Sequence, residues 1–171
     1  MAESFLTLMA EYDTAGQFRL DGWYNALQDA GFTGTQTKNL NHHISMATFP
    51  VAEEEAAVAL TRRVAAAFAP VDVRISHIGL FPGGRVLFAA PDVNPALTAL
   101  QQSCGGPFLE GHPWTPHTTM LIDTPETICA ALPVLAERFE PFCGRITHLH
   151  LCAFWPTREI LRLELTGSQG G

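Results

Sequence analysis

The sequence contains few cations and few charged residues of any kind. Lys38 is the only lysine, lysine and arginine together number 10 against 17 aspartates and glutamates, and the formal net charge is −7. A protein that binds a long nucleic acid normally carries a basic stripe that displaces counterions from the phosphates. The charge balance therefore argues against a long nucleic-acid partner and favours a small phosphate ligand, or only the end of an RNA chain.

Long apolar runs and paired cysteines are also missing. No stretch approaches the roughly 18–20 apolar residues of a membrane span. No basic residue precedes the short apolar stretch near the N-terminus, as a secretory signal would require. The four cysteines include no Cys-x-x-Cys pair, which favours reduced thiols over a disulfide framework. We therefore expect a cytoplasmic protein with no membrane contact.

The remaining composition is that of a folded chain, with 47% hydrophobic and 16% charged residues. Its length suits a single domain over residues 1–171, and we expect a monomer. Strand and helix patterns alternate, and the order strand, helix, strand recurs in the two halves. This order predicts an α+β fold in which helices cover one face of antiparallel sheets and leave the other face as a cleft.

The hydrophobic periodicity locates the individual elements. Pro133 lies inside the last predicted helix, so we expect a kink or a break there, and a loop over residues 107–116 leads into the fifth strand. Strands are predicted at 5–10, 43–50, 71–81, 85–89, 117–122, 146–155 and 159–165, and helices at about 20–31, 53–68, 94–105 and 124–139.

Two of these strands carry the same short pattern. His43-Ile44-Ser45-Met46 and His117-Thr118-Thr119-Met120 each place a histidine two residues before a hydroxyl side chain. Because successive side chains of a strand alternate between its faces, each histidine should share a face with the hydroxyl that follows it. By the same alternation Ala47 should face the cleft, while Ile44 and Met46 pack beneath helices.

A pair of histidines and a pair of hydroxyls facing one cleft suit phosphate ester chemistry. One imidazole can accept a proton while the other donates one, and the hydroxyls can hold phosphate oxygens. An unperturbed histidine has a pKa of about 6.5, so both forms are accessible near neutral pH. Taken singly, each histidine is more often an ordinary half-buried side chain, and each hydroxyl is more often satisfied by a neighbour. The matched pair favours the functional interpretation.

The two segments, with Trp114-Thr115-Pro116 ahead of the second, resemble the 2H phosphoesterase superfamily. This superfamily includes the proteins called 2′-5′ RNA ligases and the RNA 2′,3′-cyclic phosphodiesterases. The resemblance implies two pseudo-symmetric lobes of antiparallel sheet, with helices on the outer faces and a central cleft. It also implies metal-independent opening of 2′,3′-cyclic phosphates without a cofactor. His43 would be the acid, His117 the base, and Ser45 and Thr119 the phosphate-binding residues.

The substrate and the direction of the reaction stay open at this point. Many members of the superfamily carry a cation shortly after the second segment, whereas this chain continues Leu121-Ile122-Asp123. That difference leans toward a small nucleotide, with an RNA 3′ end as the other candidate. Cleavage or ligation of a 2′-5′ phosphodiester would use the same residues. A non-catalytic nucleotide-binding module is a further alternative.

A second group of chemically active side chains lies near the C-terminus. His148, His150 and Cys152 share one face of a strand and could form part of a zinc site, which would make the protein a zinc hydrolase. No spacing identifies a fourth ligand, so we favour a partly exposed strand face. His42 has the opposite parity to His43 and should pack toward the helices. Three aromatic side chains could stack on a base, but core packing is the commoner fate of Phe49, Phe81 and Trp114.

Overall fold

The structure is a computed structural model that describes residues 2–105 and 113–168. Residues 107–112 of the predicted loop lie outside this described part. Seven strands and four α-helices are found in it, in an order close to the predicted one. They are β1 (Phe5–Tyr12), α1 (Thr14–Asp29), β2 (His43–Phe49), α2 (Glu54–Ala67), β3 (Val71–Leu80), β4 (Val86–Pro91), α3 (Pro95–Cys104), β5 (Thr118–Ile122), α4 (Pro125–Arg138), β6 (Phe142–Phe154) and β7 (Arg158–Glu164).

Hydrogen bonds join all seven strands into one antiparallel sheet. The strands follow the order β2-β1-β6-β3-β4-β5, and β7 pairs with β6. The long strand β6 contributes its C-terminal part to β1 and β7 and its N-terminal part to β3. The α+β class and the antiparallel sheet are therefore confirmed. The arrangement in two pseudo-symmetric lobes stays a prediction.

The helices pack against one face of the sheet. Leu20 and Leu27 of α1, Val64 of α2 and Ile128 of α4 belong to the same buried cluster as Leu8 of β1. Burying each such side chain contributes about 1.5–3 kcal/mol. Side chains on the opposite face of β1 and β6 form a separate small cluster of Met9, Cys152 and Phe154. That face is the one left for a ligand, as the sequence predicts. No helix in residues 2–105 and 113–168 is long and apolar enough to cross a bilayer.

Both histidine strands contain a β-bulge directly after the hydroxyl residue. In β2, Ser45 pairs with Met9 but Ala47 pairs with Leu8, so Met46 is the extra residue. In β5, Thr119 pairs with Phe88 and Leu121 with Leu87, which leaves Met120 as the extra residue. An inserted residue shifts the alternation by one position. The prediction that Ala47 faces the cleft is therefore wrong, because Ala47 is fully buried in the core with Met46.

Helix α4 runs through Pro133 without a break, so the expected break is wrong. A proline removes one backbone donor, which normally would hydrogen-bond the carbonyl four residues earlier. Here that carbonyl belongs to Cys129, and both Pro133 and Cys129 are exposed. Water can therefore satisfy the carbonyl, while Ala131 and Leu135 keep the buried stripe of the helix in place.

Candidate active site

A cavity of about 270 Å³ opens where β1, β2 and the start of β5 meet, and Asp21 and Tyr24 of α1 also border it. His43, Ser45 and Thr119 line it, so three of the four predicted site residues border one space. His117 directly precedes Thr118 and Thr119, which both line the cavity. The other side of the cavity is apolar and consists of Phe5, Met9, Leu40, Phe154 and Trp155.

The two histidine rings are anchored in the same way. Nδ1 of His43 lies 2.8 Å from the carbonyl oxygen of Asn41, and Nδ1 of His117 lies 2.8 Å from the carbonyl oxygen of Thr115. A carbonyl can only accept, so Nδ1 must carry the proton in each case. In the neutral ring the lone pair then belongs to Nε2. The Nδ1 contact thus fixes the orientation and the tautomer of each ring.

A short chain of hydrogen bonds ties the two segments together. The hydroxyl of Thr118 donates to the carbonyl oxygen of His43 at 3.1 Å and lies 2.7 Å from the hydroxyl of Tyr12. Since the proton of Thr118 is used, Tyr12 is the donor of the second bond. The indole nitrogen of Trp114 also donates to the backbone oxygen of Ser45 at 2.9 Å. The two patterns, far apart in sequence, are therefore in direct contact.

Aromatic side chains hold the ring of His117. The ring of Phe81 packs edge-on against it with centroids 4.6 Å apart, and Phe88 lies at 5.4 Å. Phe81 therefore packs against a predicted catalytic ring, while Trp114 packs against the core and Phe49 is buried in it. The expectation of core packing is therefore confirmed for Phe49 and Trp114, whereas Phe81 packs against Phe88 and His117 outside the core cluster. The aromatic side chains that line the cavity are instead Phe5, Phe154 and Trp155.

Burial lowers the pKa of His43 to about 4, because the enclosed ring loses hydration of its charged form. The hydrogen bond to Asn41 and the charge of Glu11 act in the opposite direction. His42 and His117 lower the pKa further by their positive charges, which places His117 within electrostatic reach of His43. The imidazole of His43 is consequently neutral in the empty cavity at neutral pH.

The hydroxyls of Ser45 and Thr119 differ from that of Thr118. Ser45 and Thr119 are partly accessible, and their side-chain oxygens make no hydrogen bond to any residue in the described part of the chain. Thr118 is only 1% exposed and uses its hydroxyl for Tyr12 and His43. Two adjacent threonines thus have separate tasks, since one joins the strands and the other is available to a ligand.

A loop that crosses the edge of β5 forms one wall of the cavity. The backbone nitrogen of Thr35 donates to the oxygen of Ile122 at 2.8 Å, and the amide oxygen of Gln36 accepts from the nitrogen of Ile122 at 3.1 Å. Gly34 has a φ of +62°, and a Cβ there would lie 2.9 Å from the backbone oxygen of Ile122. The glycine therefore allows the close approach. The same loop brings Lys38 to the cavity.

His42 packs against α1, as its parity predicts. Its Nε2 lies 3.0 Å from Oδ1 of Asp21, and its ring packs edge-on against Tyr24. Burial lowers the pKa of His42, although the neighbouring carboxylate of Asp21 opposes that effect. His42 also borders the cavity, which its parity did not predict.

His148, His150 and Cys152 do not form the partly exposed face that the sequence predicts. His150 is 6% exposed, and Cys152 is fully buried. Nδ1 of His150 lies 2.6 Å from Glu11, and its Nε2 lies 3.0 Å from Glu159 and 3.1 Å from the sulfur of Cys152. Both ring nitrogens are therefore engaged by the protein itself. In residues 2–105 and 113–168 no three His, Cys, Asp or Glu side chains are arranged to hold a metal ion, so nothing supports the zinc alternative.

Sequence reasoning missed four residues that build the site: Glu11, Tyr12, Asn41 and Thr118. Glu11 and Tyr12 are the last residues of β1, whose other residues carry no functional pattern. Asn41 contacts His43 through its backbone oxygen, and a backbone contact has no side-chain pattern in the sequence. Thr118 borders the cavity although it has the opposite parity to Thr119, and its hydroxyl joins Tyr12 to the backbone oxygen of His43. A buried tyrosine at the end of a strand would have been the only available signal, since its hydroxyl needs a partner.

Comparison with known proteins identifies the family of the chain. The family described as the 2′-5′ RNA ligase superfamily matches residues 17–154. The chain belongs to this superfamily. The predicted resemblance to the 2H phosphoesterases is therefore confirmed. No curated protein matches the sequence.

Solved structures of the superfamily share the fold over nearly the whole chain. LigT of E. coli, crystallised with 3′-AMP, is 19% identical with a TM-score of 0.66, covering 96% of this chain and 99% of that chain. A protein described as a phosphoesterase is 17% identical, with a TM-score of 0.66 over 95% and 99%. The protein TT0787 of Thermus thermophilus is 16% identical, with a TM-score of 0.64 over 96% and 100%. At these sequence identities the structural similarity shows the fold alone.

Proposed function

We propose that this protein is a metal-independent phosphodiesterase that opens 2′,3′-cyclic phosphates by acid–base catalysis with His43 and His117. One observation carries the proposal. Two histidines on separate strands have the same Nδ1 anchor, and the hydroxyl of Thr118 holds their segments in contact. Proton transfer to or from a bound ligand requires a ring of fixed orientation and tautomer, and the Nδ1 contact gives both to each histidine.

The reaction uses one histidine in each protonation state. The neutral imidazole takes a proton from water as the water oxygen bonds to phosphorus. The imidazolium gives its proton to the ribose oxygen as the bond from that oxygen to phosphorus breaks, which leaves a phosphate monoester and a free ribose hydroxyl. Each proton transfer contributes roughly 10²–10⁴-fold in rate. Ser45 and Thr119 donate to the non-bridging oxygens, whose negative charge grows in the transition state.

The assignment of acid and base depends on the pKa of His43. The resemblance implies that His43 is the acid, yet burial lowers its pKa to about 4 in the empty cavity, where it has the neutral form of a base. A bound phosphate anion raises that pKa. The pH dependence of kcat/KM reports the free enzyme and separates the two roles. A rate that rises as pH passes upward through about 4 identifies His43 as the base, whereas a rate that falls there identifies it as the acid.

The cavity favours a nucleotide as the substrate. Ser45 and Thr119 line it, and the rings of Phe5, Phe154 and Trp155 offer an apolar surface for a base in the same cavity. Lys38 lines the same cavity and supplies the positive charge that is missing after Thr119. The E. coli LigT structures contain 3′-AMP, ATP or NADP+, which supports a nucleotide ligand here. A small nucleotide or an RNA 3′ end satisfies these features.

A substrate panel tests the proposal. It comprises the four nucleoside 2′,3′-cyclic monophosphates, an RNA oligomer with a 2′,3′-cyclic end and a 2′-5′-linked dinucleotide. We expect turnover of at least one cyclic phosphate, unchanged by a chelator and abolished in both His43→Ala and His117→Ala. His148→Ala is the matched control, because His148 is not among the described residues that line the cavity. Full activity in both active-site variants contradicts the mechanism.

The same panel separates the alternative activities. Phosphorus NMR of the products shows which bond breaks, and therefore whether cyclic phosphates or 2′-5′ linkages are the substrates. The family name supports testing ligation as well, since it is the reverse of cleavage and uses the same two histidines. Saturable nucleotide binding with no product after long incubation would instead identify a binding module.

A further inference from the structure

A buried ionic network lies directly behind the candidate active site. Glu11 at the end of β1 is 1% exposed and accepts hydrogen bonds on both carboxylate oxygens. Its Oε1 lies 2.6 Å from Nδ1 of His150, and its Oε2 accepts from Nε of Arg162 at 2.7 Å. Burial by itself raises the pKa of Glu11, but the donors His150, Arg162 and Asn41 outweigh it and lower the pKa. Glu11 is therefore a buried carboxylate that stays ionised.

The network reaches His43 through Asn41. The side-chain nitrogen of Asn41 donates to Oε2 of Glu11 at 3.1 Å, and the backbone oxygen of the same residue accepts from Nδ1 of His43 at 2.8 Å. The register of the sheet adds a second link, because Glu11 and His43 are paired residues of β1 and β2. Asn41 is thus the single residue between Glu11 and the Nδ1 contact that sets the orientation and the tautomer of the His43 ring.

Stability alone is a weak explanation for this arrangement. Burying a carboxylate with a histidine and an arginine costs desolvation energy that apolar side chains would not, so such networks often stabilise a fold little. A carboxylate with three donors does, however, impose a fixed geometry on each donor. Asn41 is the one donor that lies in a loop and is exposed, so its position depends most on that contact.

We propose that Glu11 is a positioning residue that, through Asn41, holds the ring of His43 in the orientation for proton transfer. The inference rests on the proposed function. It also gives His150 and Arg162 a role, since they keep the carboxylate of Glu11 ionised and in place. Partners of this second layer commonly orient the groups that act on a ligand, and a displacement of about 1 Å at such a distance can cost about 10²-fold in rate.

The same contact makes an electrostatic prediction. The negative charge of Glu11 raises the pKa of His43, while the charges of His42 and His117 lower it. Removing the charge of Glu11 should therefore shift the titration of His43 to lower pH. This shift tests the electrostatic link between Glu11 and His43, whereas the kcat of Asn41→Ala tests the positioning role, because that variant keeps the charge of Glu11.

Two variants test the proposal. Glu11→Gln has one acceptor oxygen for three donors, so at least one contact is lost together with the charge. Asn41→Ala removes the amide that donates to Glu11 and keeps the charge of Glu11, and we expect it to fold because Asn41 lies in an exposed loop. We expect each to lower kcat about tenfold or more, with KM changed less than about threefold. Asp92→Asn is the matched control, because it removes an exposed carboxylate that binds Arg74 and lies outside the cavity.

The decisive measurements are a double-variant cycle and an NMR titration. If Glu11 acts through Asn41, Glu11→Gln combined with Asn41→Ala lowers kcat no more than the stronger single variant. Fully additive losses overturn the proposal. NMR of the imidazole protons, with His43→Ala to assign the signal, should show the titration of His43 at lower pH in Glu11→Gln and unchanged in Asp92→Asn. An unchanged titration in folded Glu11→Gln also overturns it.

Turnover and the NMR titration can fail independently of each other. If the native protein turns over no phosphodiester, the proposed function fails, while the NMR titration still tests the link between Glu11 and His43. If Glu11→Gln does not fold, Asn41→Ala decides, and full kcat in that variant contradicts the positioning role.

Discussion

Adjacent threonines of β5 provide a sharp test of how the site is built. Thr118→Val and Thr119→Val each replace a hydroxyl by a methyl of nearly the same shape, so neither creates a cavity. Thr118 is 1% exposed and joins Tyr12 to the backbone oxygen of His43. Thr119 lines the cavity, and its hydroxyl has no hydrogen-bond partner in the part of the chain that the structure describes.

The expected magnitudes follow from these contacts. Each hydrogen bond contributes about 0.5–1.5 kcal/mol net, and a buried polar group left without a partner costs about 1–3 kcal/mol. Thr118→Val removes two bonds and leaves the hydroxyl of Tyr12 buried without its acceptor, so we expect a loss of about 2–4 kcal/mol in the free energy of unfolding. Thr119→Val should change it by no more than about 0.5 kcal/mol. It should instead lower kcat/KM by about 10²-fold, because a donor to the developing oxyanion is gone.

Urea unfolding followed by circular dichroism measures the first effect, and initial rates with a nucleoside 2′,3′-cyclic phosphate measure the second. Rates are compared at a temperature where all three proteins are folded. Equal destabilisation by the two substitutions would refute the division between a joining and a ligand-binding hydroxyl. So would a Thr119→Val protein with the native kcat/KM.

Three further predictions rest on separate contacts. Tyr12→Phe removes one donor while Thr118 still bonds His43, so urea unfolding should show a loss of only about 1 kcal/mol. The pKa of His43 is about 4 when folded and about 6.5 when unfolded, so the unfolded chain binds more protons between these values. Stability should therefore fall by up to about 3 kcal/mol as pH drops from about 6.5 to about 4, and His43→Gln should show a shallower slope in urea unfolding across this range. Trp155 is 53% exposed, so Trp155→Ala should leave stability nearly unchanged. It should raise KM for nucleoside cyclic phosphates by about 5- to 100-fold, since stacking on a base is worth about 1–3 kcal/mol, but leave KM for a cyclic phosphate without a base unaltered.

The strands, the helices and the two histidine segments could be predicted because their signals are local. Alternation within β2 correctly placed His43 with Ser45 at the cavity and turned Ile44 into the core. The same rule failed at Ala47, only two residues further on. A bulge depends on pairing with a neighbouring strand, so the sequence of β2 alone contains no sign of it.

The role of His150 could not be predicted for a related reason. The alternation His148-Leu149-His150-Leu151-Cys152 is compatible with three environments for the face that carries the histidines and the cysteine. That face can be exposed to solvent, bind a metal or be buried. What decides the outcome is Glu11, which lies 139 residues away in sequence and 2.6 Å away in space. A single buried glutamate in an apolar strand is a weak signal, because the partners that justify its burial come from β6 and β7.

The two bulges give the shared motif a physical meaning beyond its four side chains. His43 and Ser45 of β2 and Thr119 of β5 line the cavity, and the extra methionine lets the residue that follows it, Ala47 or Leu121, lie in the core. A regular strand would leave every second residue on the ligand face beyond the hydroxyl. The bulge therefore confines the polar pair to one short stretch while Ala47 and Leu121 stay buried. A bulge also increases local twist, so β2 and β5 each bend at the same point of the motif, directly after the hydroxyl that lines the cavity.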